Sequence, residues 1–61
     1  MDEIEALIEE IETYCRLHEM AESTFGRVAV NDGKFVGRLR SGSNLTSKTL
    51  ARVRDFIVNN P

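Results

Sequence analysis

Apolar side chains recur at intervals of three and four residues through the first third of this 61-residue chain. The series is Ile4, Leu7, Ile8, Ile11, Cys15 and His18. One face of an α-helix repeats every 3.6 residues, so this spacing predicts an amphipathic helix over about residues 2–18, with glutamates on its other side. Asp2 can cap this helix, and Glu3 and Glu5 suit the positive end of its dipole.

Three further helices are predicted downstream, over about residues 22–30, 33–41 and 47–58. Their inward apolar residues are, in chain order, Phe25, Val28, Ala29, Val36, Leu39, Leu50, Val53, Phe56 and Ile57. Gly42 can turn the chain after the third helix by adopting a positive φ. Thr46 can cap the fourth helix.

The segment Asn31, Asp32 and Gly33 has a turn composition and separates the second and third predicted helices. Asn31 or Asp32 can cap the helix that follows. An Asp-Gly pair also favours the turn of a β-hairpin, and the flanking valines and phenylalanine have strand-like character. However, Phe35 and Val36 are adjacent, which breaks the alternation that a half-buried strand needs. We therefore predict an all-α fold.

Length and composition limit what such a fold can do. A chain this short buries only about 60% of the surface that it exposes when unfolded, so we expect one compact domain over residues 1–61 and no deep, walled active site. The single cysteine cannot form an internal disulfide, and the spacing of zinc ligands is missing. Neither a signal peptide nor a membrane span is apparent. The sequence predicts a cytoplasmic protein that is not an enzyme and has no metal, cofactor or membrane association.

The net charge of −2 conceals a strong division along the chain. Residues 1–25 contain eight acidic residues and one arginine, a net charge of −7, whereas residues 26–61 contain seven basic and two acidic residues, a net charge of +5. Such a division predicts one anionic and one cationic face. Only the cationic face, from the carboxy-terminal part, is suited to phosphate.

Two short helices joined by a tight turn and braced by longer helices can place the second helix in the major groove of DNA. This arrangement needs a small residue where the helices cross closely, and Gly26 supplies it. Residues 20–26 (MAESTFG), 36–42 (VGRLRSG) and 45–53 (LTSKTLARV) occur in the matching order. With these segments the chain resembles the helix-turn-helix domains of the phage lambda repressor and Cro family.

The resemblance implies a four-helix lambda-repressor-like domain that lacks the usual fifth helix. It implies a sequence-specific regulator of transcription that binds double-stranded DNA, in the manner of a small repressor from a phage or mobile element. It further implies a homodimer on an inverted-repeat operator, with helix 33–41 in the major groove. The chain departs from the family at Val30, where glycine is usual, at Asn31, where an apolar residue is usual, and at Ala21, where a hydroxyl cap is usual.

Carried over by position, the resemblance implies two sets of contacts. The residues that face base edges are Gly33, Lys34, Gly37 and Arg38. The residues near phosphates are Ser23, Arg27, Arg40, Ser41, Ser43, Asn44 and Lys48, with Glu22 as the weakest member because a phosphate repels it.

Side-chain chemistry supports part of this assignment independently. Arg38 can donate two hydrogen bonds to a guanine, and Lys34 can reach a base or a phosphate. Gly33 and Gly37 remove bulk where DNA would approach the helix backbone. Each residue also has a plainer interpretation, since exposed cations are often only solvated and glycines often serve only turns and packing.

A second function remains open for the acidic first helix. It can bind a basic groove of another protein, such as RNA polymerase, with the helix-turn-helix serving as scaffold. His18 and Cys15 are expected to lie on the inner side of the first helix and to pack there. Exposed apolar residues on that helix or over residues 56–58 are the candidates for a dimer surface.

Overall fold

The structure, a computed structural model, describes residues 2–61 and contains four α-helices in that range. They are α1 (Glu3–Leu17), α2 (Glu22–Val30), α3 (Phe35–Arg40) and α4 (Ser47–Asn59). No β-strand occurs among the described residues. The all-α prediction is therefore confirmed and the hairpin alternative is wrong.

Side chains and left-handed backbone positions set the ends of these helices as local chemistry requires. The Asp2 carboxylate accepts a hydrogen bond from the Glu5 N–H at 2.8 Å and caps α1. The Thr46 hydroxyl accepts one from the Thr49 N–H at 3.2 Å and caps α4. Asn31 ends α2 with φ at +58°, and Gly42 follows α3 with φ at +91°. The caps at Asp2 and Thr46 and the positive φ of Gly42 confirm the prediction.

The third helix is shorter than predicted, because Gly33 and Lys34 lie in the turn before it and Ser41 is its C-cap. Asp32 causes this shift. Its carboxylate accepts a hydrogen bond from the Lys34 N–H at 3.0 Å, and its carbonyl oxygen accepts one from the Phe35 N–H at 3.1 Å. These bonds form a turn that delays the start of the helix to Phe35.

The four helices enclose one core, at whose centre Leu7, Ile11, Phe25 and Val53 are fully buried. The other buried apolar residues are Tyr14, Cys15, Ala29, Phe35, Val36 and Leu39. Most of the predicted inward positions are thus confirmed, and Phe35 joins Val36 and Leu39 in the core.

Two predicted inward residues are exposed instead. The side chain of Val28 is 52% exposed because α2 is covered by its neighbours only along the line of Phe25 and Ala29. His18 is also exposed, at the C-cap of α1, where its ring stacks on that of Tyr14 with 4.1 Å between the ring centroids. The expected packing of His18 at the helix end is confirmed by this stacking, whereas the expected inward position is wrong, because His18 lies beyond the last helical residue and is exposed.

Gly26 allows the chain to fold back closely after α2. A β-carbon at this position would lie 2.3 Å from the carbonyl oxygen of Asp32 and 3.3 Å from the β-carbon of Phe35. The Gly26 carbonyl also accepts a hydrogen bond from the Asp32 N–H at 3.0 Å. The predicted need for a small residue is confirmed, and it is the turn itself that presses on Gly26.

Within residues 2–61, every helix is too short or too polar to traverse a lipid bilayer.

Candidate nucleic-acid interface

The exposed side of α3 borders a shallow depression that also reaches the start of α2. Its lining includes all four residues predicted to face bases, namely Gly33, Lys34, Gly37 and Arg38. Three of the predicted phosphate residues, Ser23, Arg40 and Ser41, line it too. All seven are exposed, whereas Val36, at the floor, belongs to the core. The fold thus brings these residues to one surface.

A second depression adjoins the first at Arg38 and extends toward the start of α4. It is lined by Ser43 and Asn44, both predicted near phosphates, and by Asp32 and Arg52, which sequence reasoning did not assign to the site. We call the linings of the two depressions together the α3 surface. Two predicted phosphate residues, Arg27 and Lys48, are exposed but line neither depression.

A signal for Arg52 was present in the sequence. It lies four residues after Lys48 in α4, and residues at that spacing share a helix face. Arg27 likewise lies four residues after Ser23 in α2. The two helices that flank α3 therefore each present polar or basic residues in a row.

Arg38 is held by one carboxylate of the protein while most of its side chain faces solvent. Its guanidinium forms an ion pair with Asp32, and the Arg38 side chain is 57% exposed. Because a guanidinium has five N–H donors, a single carboxylate leaves donors available for another acceptor.

Arg40 is more firmly engaged. Its guanidinium donates hydrogen bonds to both carboxylate oxygens of Glu22 and to Glu12, so it links α3 to α2 and α1. Hydrogen bonding to Arg40 lowers the pKa of Glu22 below its ordinary value, although partial burial opposes this effect. These carboxylates use three of the five N–H donors of Arg40 and offset its charge, so a phosphate at Arg40 would compete with them. Glu22 serves as the partner of this arginine.

Two hydroxyl groups of the predicted phosphate set are also used within the protein. The Ser41 hydroxyl donates to the Gly37 carbonyl at 3.1 Å, and the Ser43 hydroxyl donates to the Arg38 carbonyl at 2.9 Å. A phosphate only accepts hydrogen bonds, and a serine hydroxyl has one hydrogen to donate. Both serine hydroxyls therefore cap the carboxyl end of α3, and each would have to give up this hydrogen bond to donate to a phosphate.

No neighbouring atom of the protein explains why position 37 is a glycine. A β-carbon built there meets no atom within 4 Å, and the residue lies inside α3. Glycine inside a helix costs about 0.5–1 kcal/mol relative to alanine. The packing interpretation of Gly37 therefore finds no support in the contacts of the described residues.

The charge division along the sequence is partly neutralised by folding. Three ion pairs join an acid of the first 25 residues to a base of the remainder: Glu12 with Arg40, Glu22 with Arg40, and Glu10 with Arg54. Five cations have no carboxylate within ion-pair distance among residues 2–61. These are Arg16 in the acidic part of the sequence and Arg27, Lys34, Lys48 and Arg52 in the remainder.

The remaining reactive groups offer little chemistry. Burial, with the nearby charge of Glu22, raises the pKa of the Cys15 thiol above its ordinary value. Among residues 2–61, no three histidine, cysteine, aspartate or glutamate side chains are arranged to hold a metal ion.

No protein-family model matches the chain, and no significantly similar curated protein or solved structure was found.

Proposed function

We propose that the protein is a sequence-specific regulator that binds double-stranded DNA with α3 in the major groove. The observation that carries this proposal is the open position of Gly37 between two exposed cations, Lys34 and Arg38. A site for a small anion would need only the two cations and would not require a glycine between them. A helix side without a side chain at its centre suits the close approach of a large, flat ligand such as the edges of stacked bases.

In this complex Arg38 donates to the O6 and N7 atoms of a guanine, the commonest specific contact in the major groove. Lys34, in the turn before α3, reaches a neighbouring base or phosphate. Gly33 and Gly37 let the backbone approach the base pairs. These four residues are the proposed base-facing set.

Phosphates on either side of the groove set the register of the complex. On the α2 side, Ser23 and Arg27 contact one strand. On the α4 side, Asn44 and Lys48 contact the other strand. Arg52 joins this second group because it lines the same depression as Asn44. Ser41 and Ser43 act by holding the end of α3. Arg40 acts mainly by linking three helices, because its own carboxylates compete with phosphate.

The order of the helices and the resemblance stated above favour a lambda-repressor-like helix-turn-helix domain. On the same basis we propose a repressor that binds an inverted repeat as a homodimer. The most exposed large apolar residues are Leu17, at 76%, and Val58, at 74%, and these are the candidates for the dimer contact.

Selection of duplexes from a random pool, followed by anisotropy titration across salt concentrations, tests the proposal. We expect a saturable complex with a symmetric site and a steep salt dependence, since each phosphate contact contributes about −0.9 to the slope of log K against log salt. Replacing Lys34 and Arg38 by alanine should weaken binding more than about tenfold, because one good base contact alone provides about 1–3 kcal/mol.

The matched control replaces Arg16 and Arg54 by alanine. This variant has the same net charge as the variant with alanine at Lys34 and Arg38, but neither Arg16 nor Arg54 lines the α3 surface. It should retain most of the affinity. Equal losses of affinity in both double variants would show that binding depends on net charge alone and would contradict base recognition by α3. Absence of any saturable complex at low salt would refute the proposal.

A second candidate function is supported by a groove between α1 and α4. Tyr14, Leu17 and Ile57 line it, with Glu9 and Glu10 at its edge. An apolar groove with an acidic edge suits a basic amphipathic segment of another protein, such as a part of RNA polymerase. Capture of such a partner that survives nuclease treatment, and is lost in a Leu17→Glu variant but not in a Lys34→Ala variant, would favour this function.

A further inference from the structure

Asp32 occupies an unusually constrained position between α2 and α3. Its backbone N–H donates to the Gly26 carbonyl at 3.0 Å, and its own carbonyl accepts from the Phe35 N–H at 3.1 Å. The same carbonyl lies against the α-carbon of Gly26, where even a β-carbon would not fit. The backbone of Asp32 is therefore fixed by the fold.

The two carboxylate oxygens of Asp32 have different partners. Oδ1 accepts from the backbone N–H of Lys34 at 3.0 Å, and Oδ2 faces the guanidinium of Arg38. The carboxylate thus connects the turn to the outward face of α3. The Asp32 side chain is 27% exposed, so it is shielded from solvent more than the arginine that it holds, which is 57% exposed.

We propose that Asp32 is a positioning residue that makes Arg38 selective for one base. This inference rests on the proposed DNA binding. Arg38 has several rotatable bonds, and an arginine free to move would contact phosphates as readily as bases. A carboxylate on one side of the guanidinium restricts it and leaves the opposite donors for a planar pair of acceptors, such as O6 and N7 of guanine.

The charge of Asp32 acts in the same direction. It offsets the charge of Arg38 and opposes general attraction to the phosphate backbone, which supplies most non-specific binding. Asp32 should therefore lower the affinity for arbitrary DNA while increasing the discrimination between sites. An aspartate that served only the turn would also oppose general attraction to DNA, but it would not change the discrimination between sites.

An Asp32→Asn variant separates these roles, because the amide oxygen can still accept from the Lys34 N–H while the charge is lost. We expect its discrimination against duplexes altered at the Arg38 base pair to fall about tenfold, equivalent to about 1.4 kcal/mol. We expect its affinity for random duplexes to rise severalfold. In an Arg38→Ala background, the same change should leave discrimination unaltered.

An Asp32→Ser variant, which also keeps an acceptor for the turn, provides a second test if the asparagine variant folds poorly. The role of Asp32 would be overturned if the folded Asp32 variants discriminated between duplexes as well as the unaltered protein does. If alanine at Lys34 and Arg38 still weakened binding, the proposed DNA binding would stand. Failure of the unaltered protein to bind any duplex would overturn both.

Discussion

Replacing Gly37 by alanine should move stability and DNA binding in opposite directions. The new methyl group would meet no atom within 4 Å, so it would create no clash in the free protein. Removing a glycine from a helix interior stabilises by about 0.5–1 kcal/mol. For a domain of this size, 1 kcal/mol raises Tm by about 4–8 °C, so we expect an increase of about 2–8 °C.

The same methyl group would stand on the surface where the bases are proposed to approach. We expect the affinity for the selected duplex to fall about tenfold or more, equivalent to about 1.4 kcal/mol. Thermal unfolding followed by circular dichroism measures the first effect, and anisotropy titration measures the second. A more stable variant with unchanged affinity would refute the argument that this position is open for DNA.

Gly26→Ala is the matched control, because its methyl group would overlap the Asp32 carbonyl. Forcing atoms into a packed region costs about 1–3 kcal/mol or more, so this variant should be less stable. If both substitutions stabilised the protein, the contrast between a crowded position at Gly26 and an open one at Gly37 would be contradicted.

Four further outcomes can be checked by simple measurements. Leu7→Ala removes a fully buried side chain and should cost about 2–5 kcal/mol, seen as a lower urea midpoint; an unchanged midpoint would contradict the core described above. Thr46→Ala should cost about 1 kcal/mol by removing the cap of α4, and Thr46→Ser should restore most of it. The lowered pKa of Glu22 means that its pairing with Arg40 stabilises the fold at neutral pH and is lost as the pH falls below 4.5; urea titrations should therefore show a smaller loss on acidification in Glu22→Gln than in the unaltered protein. Alkylation of Cys15 by iodoacetamide should be slow in the folded protein and fast in urea, and equal rates would contradict its burial and raised pKa.

The helices were largely predictable because their apolar period is visible in the chain itself. α2 was predicted with its observed bounds, and α1 and α4 differ from prediction by a residue at one or both ends. The bounds of α3 were wrong because a side chain, Asp32, closes the preceding turn, and periodicity does not report such a bond. The left-handed residue that ends α2 is Asn31, which lies within the Asn31–Gly33 segment that was predicted to form the turn.

The surroundings of the candidate site were less predictable. That Gly37 and Arg38 of α3 face outward, with Lys34 in the turn before them, follows from their spacing relative to Val36 and Leu39. The ion pairs of Arg40 do not, because its partners lie 18 and 28 residues away and meet it only after the helices pack. For the same reason, the sequence did not show that folding neutralises part of its cationic half.

Chemical-shift mapping by NMR can show directly whether DNA binds at α3. The ¹⁵N-labelled protein would be titrated with the selected duplex and, separately, with one of scrambled sequence. We expect the selected duplex to perturb residues 33–38 most strongly, together with Ser23 and Asn44, and the scrambled duplex to do so only weakly. Perturbations centred on Glu9 and Leu17 of α1, with residues 33–38 unchanged, would contradict DNA binding through α3.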